Sequence, residues 1–174
     1  MLNSWLENNF ERLITIRRWL HQHPEVGFDE HESSRYCQQL MVDMGYEITQ
    51  NEQMQTGFYC DYGTGDGPTL AVRCDLDALP IEEVNSIDYY SVNKGVSHAC
   101  GHDSHMANIL GLAAYIIETK QNIPGKLRFI FQPAEEAAGG APEMIKDGLF
   151  ENYKMSSVYG MHNMPGMPVG MFGI

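Results

Sequence analysis

The sequence predicts an α/β fold, an open β-sheet flanked by helices, and three observations carry that prediction. Apolar residues recur with helical spacing in some stretches and form short β-rich runs in others. The two kinds of stretch alternate along the chain, with no repeat and no low-complexity linker. Residues with metal-binding chemistry fall where β-rich runs end, which is where open α/β sheets place their sites.

Leu6, Phe10, Leu13, Ile16 and Leu20 recur at steps of three and four, so the first element is an amphipathic helix capped near Asn3 or Ser4. It ends by His23, because Pro24 disfavours helix in the residue before it. A second helix covers Glu32 to Met44 and is closed by Gly45. Strands follow near Tyr46 to Thr49, Gly57 to Tyr62 and Thr69 to Cys74, with turn chemistry from Gly63 to Pro68. That glycine-rich turn is no phosphate loop, since no Gly-Lys-Ser/Thr follows it. Ser104 to Lys120 reads as a helix that is apolar nearly all round between Ile109 and Ile117, which requires packing inside, against the sheet. Lys126 to Gln132 gives a strand, Pro142 to Asp147 a short helix with proline in its first turn, and Met155 to Met161 a further strand.

A chain of 174 residues with 43% hydrophobic content can bury one sizeable core, so a single domain is expected. Eleven basic against 23 acidic residues give a net charge of −12, which argues against nucleic acid or an anionic membrane as partner. The longest apolar run, Ile109 to Ile117, is far short of the roughly 20 residues that span a bilayer. Eleven scattered methionines read as core filler. Cys37, Cys60, Cys74 and Cys100 show no disulfide-framework spacing, and the start lacks a basic region followed by an apolar run. A reducing cytoplasm is the expected location, and it would keep Cys100 free to ligate a metal.

The chemistry concentrates in His98-Ala99-Cys100-Gly101-His102-Asp103, where a thiol and an imidazole stand two residues apart beside a carboxylate. Sulfur and imidazole nitrogen suit zinc and its transition-metal neighbours. A helix N-terminus here favours a nearby thiolate. The alternative reading is a turn with a compact buried cysteine and a helix-capping aspartate. Downstream, Phe129 to Gln132 is a β-rich run stopped by Pro133 and followed by Glu135 and Glu136. In an extended segment these two point in opposite directions, so one can bind a metal while the other handles a proton; the alternative is a solvated surface pair. A third short strand, in Ser157 to Asn163, ends on His162, and a fourth run, Thr69 to Cys74, leads into Asp75 and Asp77, which period-2 alternation puts on one side.

At these residues the chain resembles the M20 family of metal-dependent peptidases and amidohydrolases, in the branch that hydrolyses N-acyl, hippurate-type and indole-acetyl amino acid conjugates. Five ordered blocks carry the resemblance: Leu20 to Phe28, Arg73 to Pro80, His98 to His105, Gln132 to Glu136, and Gly160 to Pro165. It implies a mixed open β-sheet flanked by helices, the zinc-peptidase-like catalytic domain. It also implies that Cys100 is shared between two metal ions, that His102 and His162 complete one, and that Glu136 serves the other. Glu135 takes the general-base position, and Asp77 that of a carboxylate orienting a ligand histidine. Asp103 is read as an orienting or N-cap group; Asp75 and His105 are left without a role. Zinc, manganese, nickel or cobalt all suit this donor set.

Two stretches depart from that branch, Ala137-Ala138 where glycines commonly follow the glutamates, and Tyr89 to Lys94. Relatives in this family are roughly twice as long. Residues 1–174 therefore read as the N-terminal portion of the catalytic domain, lacking the inserted lid and dimerisation domain and the C-terminal catalytic segment. The expected activity is hydrolysis of the amide bond of N-acyl amino acids, with one metal held by this chain, two in the complete enzyme, and little or no turnover by the isolated chain. The alternatives are a non-catalytic metal-binding remnant, or a carboxypeptidase or dipeptidase of the same family. The implied partners are a small N-acyl amino acid or peptide substrate and, in full-length relatives, a second copy bound through the absent domain.

Overall fold

Successive side chains of three central strands face two separate apolar layers, and the candidate site lies at one edge of this sheet. The computed structural model describes residues 2–50, 54, 56–64, 67–136, 139–151 and 155–174. The elements are α1 (Leu2–Gln22), α2 (His31–Asp43), β1 (Ile48–Thr49), β2 (Phe58–Tyr62), β3 (Thr69–Asp75), α3 (His102–Glu118), β4 (Lys126–Gln132), α4 (Gly140–Lys146) and β5 (Met155–Gly160).

The strands lie in the order β1-β2-β4-β3-β5. β1 with β2 and β2 with β4 are antiparallel, whereas β3 with β4 and β3 with β5 are parallel, so the sheet is mixed. Because side chains alternate across a strand, Phe58, Cys60, Cys74, Phe129 and Phe131 face one layer. There they meet Leu20 of α1, Cys37 and Met41 of α2, and Met106, Leu110 and Ala113 of α3. Tyr59, Ala71 and Ile130 face the other layer and pack on Met144 of α4 with Met54 and Leu149. Arg128 points into that second layer and is fully buried. Its guanidinium grips both Asp61 oxygens at 2.7 Å and lies 3.9 Å over the Tyr59 ring, so the buried charge is paired and stacked.

The predicted helix after the metal motif is central as expected, but it begins at His102 rather than Ser104. Gly101, at φ +89°, supplies the left-handed residue from which the chain turns into α3. β1 is shorter than the predicted strand, because Tyr46 is drawn into the core, where its hydroxyl donates to the Ala113 carbonyl at 3.0 Å. α4 starts two residues before Pro142, which occupies the first turn, where a missing N–H costs no helical bond. The methionines divide: Met41, Met54, Met106 and Met144 are core residues, whereas Met161, Met164, Met167 and Met171 are exposed on a segment that joins neither layer. Gly65 and Asp66 of the predicted turn, and the Ala137-Ala138 departure, lie outside the described residues. Among the described residues no helix is long and apolar enough to cross a membrane.

Candidate metal centre

Three parallel strands must end on the same edge, and β4, β3 and β5 do so side by side. Asp75 pairs with Gln132 and Arg73 with Gly160, so the residues that follow each strand emerge together. They are Asp77 after β3, Glu135 and Glu136 after β4, and His162 after β5. The N-terminus of α3 adds Cys100 and His102 to the same edge.

The Cys100 Sγ lies 3.3 Å from His162 Nε2. One ligand atom each from Cys100, His102 and His162 falls within 4.8 Å of the others, and the same holds for His102, Glu135 and Glu136, and for Asp75, His102 and His105. Sulfur and nitrogen ligands on a tetrahedral zinc ion stand roughly 3.5 Å apart, given Zn–S of about 2.3 Å and Zn–N of about 2.0–2.1 Å. The thiol–imidazole spacing matches that value.

His102 is the pivot of all three groups. Its Nδ1 donates to the Asp77 carbonyl oxygen at 2.8 Å and lies 3.2 Å from Asp77 Oδ1, the shorter contact being the hydrogen bond. That fixes the tautomer and leaves Nε2 as a lone-pair donor. His102 Nε2 is buried without a hydrogen-bond partner among the described residues. Asp75 Oδ2 and Glu136 Oε1 stand 3.6 and 3.7 Å from it. A buried acceptor with no donor is costly, and a cation at this point would satisfy it. The residues present therefore fit a divalent metal ion.

The electrostatics agree. Burial raises the Asp75 carboxyl, but the His105 hydrogen bond and the His102 and Arg73 charges outweigh it and hold it at about 2. Asp77 is likewise held below its ordinary value: burial is overcome by His102 and by the backbone N–H groups of Glu136 and Glu135. For His102 burial lowers the pKa, but Asp77 and Asp75 win and raise it. The Cys100 thiol is pushed up to about 12 by burial and by Glu136, Asp75 and Glu135. The helix N-terminus expected to favour its thiolate is outweighed by these carboxylates, so the thiolate needs a positive charge beside it. His98, next to the motif, is buried with neither ring nitrogen hydrogen-bonded among the described residues, and burial holds it down at about 4.

Two local expectations are corrected. The glutamates do not sit on an extended segment: Ala134 takes φ +47° and Glu135-Glu136 form a turn, so both carboxylates reach the same imidazole instead of diverging. Asp103 does not cap α3, whose N-cap is Gly101 without a side-chain cap bond. It is buried and takes the His21 ring at 2.8 Å and Arg17 at 2.7 Å, while the other His21 nitrogen meets Glu83 at 3.0 Å. Asp75 and His105, left without a role by the sequence, are joined at 2.7 Å. The three-residue spacing of His102 and His105 was the available signal, since it puts both on one helix face.

A family model for peptidase family M20/M25/M40 matches residues 71–174. The N-acetylcysteine deacetylase of Bacillus subtilis (strain 168) is 42% identical over 164 residues, covering 94% of this chain and 43% of its own length. The hippurate hydrolase of Campylobacter jejuni is 41% identical over 161 residues, covering 92% of this chain and 40% of its own length. Among solved structures, the Bacillus subtilis YXEP protein, a dinuclear metal-binding peptidase of the M20 family, superposes with a TM-score of 0.88 at 41% identity, over 94% of this chain and 46% of that one. The chain spans less than half the length of each of these relatives.

Proposed function

The chain belongs to peptidase family M20/M25/M40, and from that premise we propose that its protein hydrolyses the amide bond of N-acyl amino acids with divalent metal ions. The observation that carries the reading is the meeting of Cys100, His102 and His162 around a buried His102 Nε2 that has no hydrogen-bond partner among the described residues, with Glu135 and Glu136 alongside. Similarity to an N-acetylcysteine deacetylase and a hippurate hydrolase, both of which act on N-acylated amino acids by name, supports the substrate class.

In this reading Cys100, His102 and His162 hold one ion, and Cys100 with Glu136 serves a second. Bound ions supply Lewis acidity to the scissile carbonyl and make a nearby water easier to deprotonate. The protein's own groups do the rest. Asp77 holds His102 through Nδ1 and keeps Nε2 aimed at the centre. Its Oδ2 also accepts the Glu136 N–H at 2.9 Å, which ties the two-glutamate turn to the same carboxylate. The Glu135 backbone N–H bonds to Asp77 while its carboxylate shares the reach of His102, as a proton acceptor beside the centre must. It takes a proton from water as the oxygen attacks the carbonyl carbon, then returns it to the amide nitrogen as the C–N bond breaks.

The test is to load the protein with zinc, manganese, nickel or cobalt and assay release of free amino acid from N-acetylcysteine and from hippurate. Metal-dependent release, abolished by chelation and restored by one of these ions, is expected. Release that survives complete metal removal would refute the reading.

A further inference from the structure

His162 is the most weakly supported of the proposed ligands. It lies two residues beyond β5 on an exposed segment without helix or strand, and its Nδ1 bonds only to the carbonyl of its own neighbour, Asn163, at 2.7 Å. Besides the approach of His162 to Cys100, the next side chain fastens this segment to the body of the protein. The Asn163 Oδ1 stands 2.8 Å from His105 Nε2, and the Asn163 backbone nitrogen lies 3.3 Å from the same ring atom. The same Asn163 carboxamide lies against Gly101, where a Cβ would collide with it. Glycine at position 101 thus serves both the left-handed turn into α3 and the seat for this carboxamide. His105 is itself anchored: Nδ1 donates to Asp75 Oδ1 at 2.7 Å, and Arg73 grips Asp75 Oδ2 at 2.6 Å. The chain of contacts runs from the floor of β3 through α3 to the loop after β5, and the His105 and His162 rings end 4.8 Å apart.

We propose that Asn163 is a positioning residue that docks the His162 loop onto the Cys100-Gly101-His102 turn, with the Arg73–Asp75–His105 relay as its anchor. The proposal rests on the metal-centre reading, and it adds that the third ligand is delivered by a neighbour that is not a ligand. Without Asn163 the segment that carries His162 loses its side-chain contact with His105, while Cys100 and His102 stay where α3 and Asp77 hold them.

Cobalt(II) separates the two claims, because a thiolate–cobalt charge-transfer band reports Cys100 and the d–d bands report the number and geometry of ligands. The native chain should show both. Asn163→Ala should keep the charge-transfer band, take on the d–d spectrum of His162→Ala, and bind cobalt about 10-fold or more weakly, in the range found for groups that orient ligands. His105→Ala should behave in the same way. The double variant Asn163→Ala with His162→Ala should bind no more weakly than His162→Ala alone, since both remove one imidazole. Native spectrum and affinity in Asn163→Ala, an additive double variant, or loss of the helical circular dichroism in Asn163→Ala would each overturn the docking role. A native chain with no thiolate–cobalt band would instead overturn the metal-centre reading beneath it.

Discussion

Asp77 offers the sharpest quantitative test of how the centre is built. Its carboxylate lies 3.2 Å from His102 Nδ1 through Oδ1 and accepts the Glu136 N–H at 2.9 Å through Oδ2, while its backbone carbonyl takes the main hydrogen bond from the ring at 2.8 Å. Asp77→Asn keeps the shape but has one oxygen and one NH2, so one of the two donors then faces a donor. The backbone carbonyl still holds the ring, and what is lost is the negative charge behind the imidazole. The expected loss of metal affinity is about 10-fold, about 1.4 kcal/mol. Asp77→Ala removes both side-chain contacts and frees the two-glutamate turn, so the loss should approach about 100-fold, about 2.7 kcal/mol. The assay is zinc titration against a chromophoric chelator at fixed pH, with the unfolding midpoint of the metal-free variants measured in parallel to separate folding from binding. Affinities of both variants within about twofold of the native value, a change too small to count against the 10-fold expected, would refute the idea that this carboxylate tunes His102.

Three further outcomes follow from the same contacts. In the full-length protein, Glu135→Gln should retain the metal and lose roughly 100- to 10,000-fold in kcat, the range for removing a general base, as read by metal analysis and amino acid release; unchanged turnover would remove Glu135 from that role. Glu30 is fully buried and accepts the Ala134 N–H at 2.7 Å and the Thr56 hydroxyl at 2.5 Å, so it holds the left-handed residue that launches the glutamate turn. Glu30→Ala strands both donors and should cost about 2–6 kcal/mol in denaturant unfolding, with Glu30→Gln recovering part of it. The His21 cluster should give stability a pH window. His21 is raised above its ordinary 6.5 mainly by the Asp103 hydrogen bond and, against burial, by Glu83, so its contribution is complete below 6.5 and lost as pH rises through the folded value. Burial raises Asp103 and Glu83, but the His21 hydrogen bond and, for Asp103, Arg17 leave both below their ordinary 3.8 and 4.5; their contribution is present above those values and lost as pH falls through the folded ones. The difference in melting midpoint between the native chain and His21→Gln should therefore be largest between pH 4.5 and 6.5 and shrink on either side; a pH-independent difference would contradict it.

What the sequence makes legible is what local chemistry decides. β4 runs from Lys126 to Gln132 as predicted, because Gly125 and Pro133 punctuate both ends of an apolar run. The helix after the metal motif and the strand exits follow from alternation and from where α/β sheets put their ligands, while the pairing of Cys100 with His162 across 62 residues is what the family resemblance implies. The rest depends on contacts between distant segments. Glu135 and Glu136 share one imidazole only because Glu30, more than a hundred residues earlier, holds Ala134 in a left-handed turn, and an extended reading of that stretch has no means of seeing it. Asp103 looks like an N-cap from its position, but Gly101 takes that place and α1 brings His21 and Arg17 to the carboxylate. Asn163 is a loop residue on any local reading, and its contact with His105 exists only once β5 is laid beside β3. The exposed methionines after β5 show the same limit, since composition alone assigns them to the core.

The central claim is that Cys100, His102 and His162 surround one divalent ion, and anomalous diffraction from zinc-soaked crystals at the zinc absorption edge tests it most directly. The account predicts a peak about 2.3 Å from the Cys100 sulfur and about 2.0–2.1 Å from His102 Nε2 and His162 Nε2. Zinc bound elsewhere on the chain, with no peak inside this triangle, would contradict it.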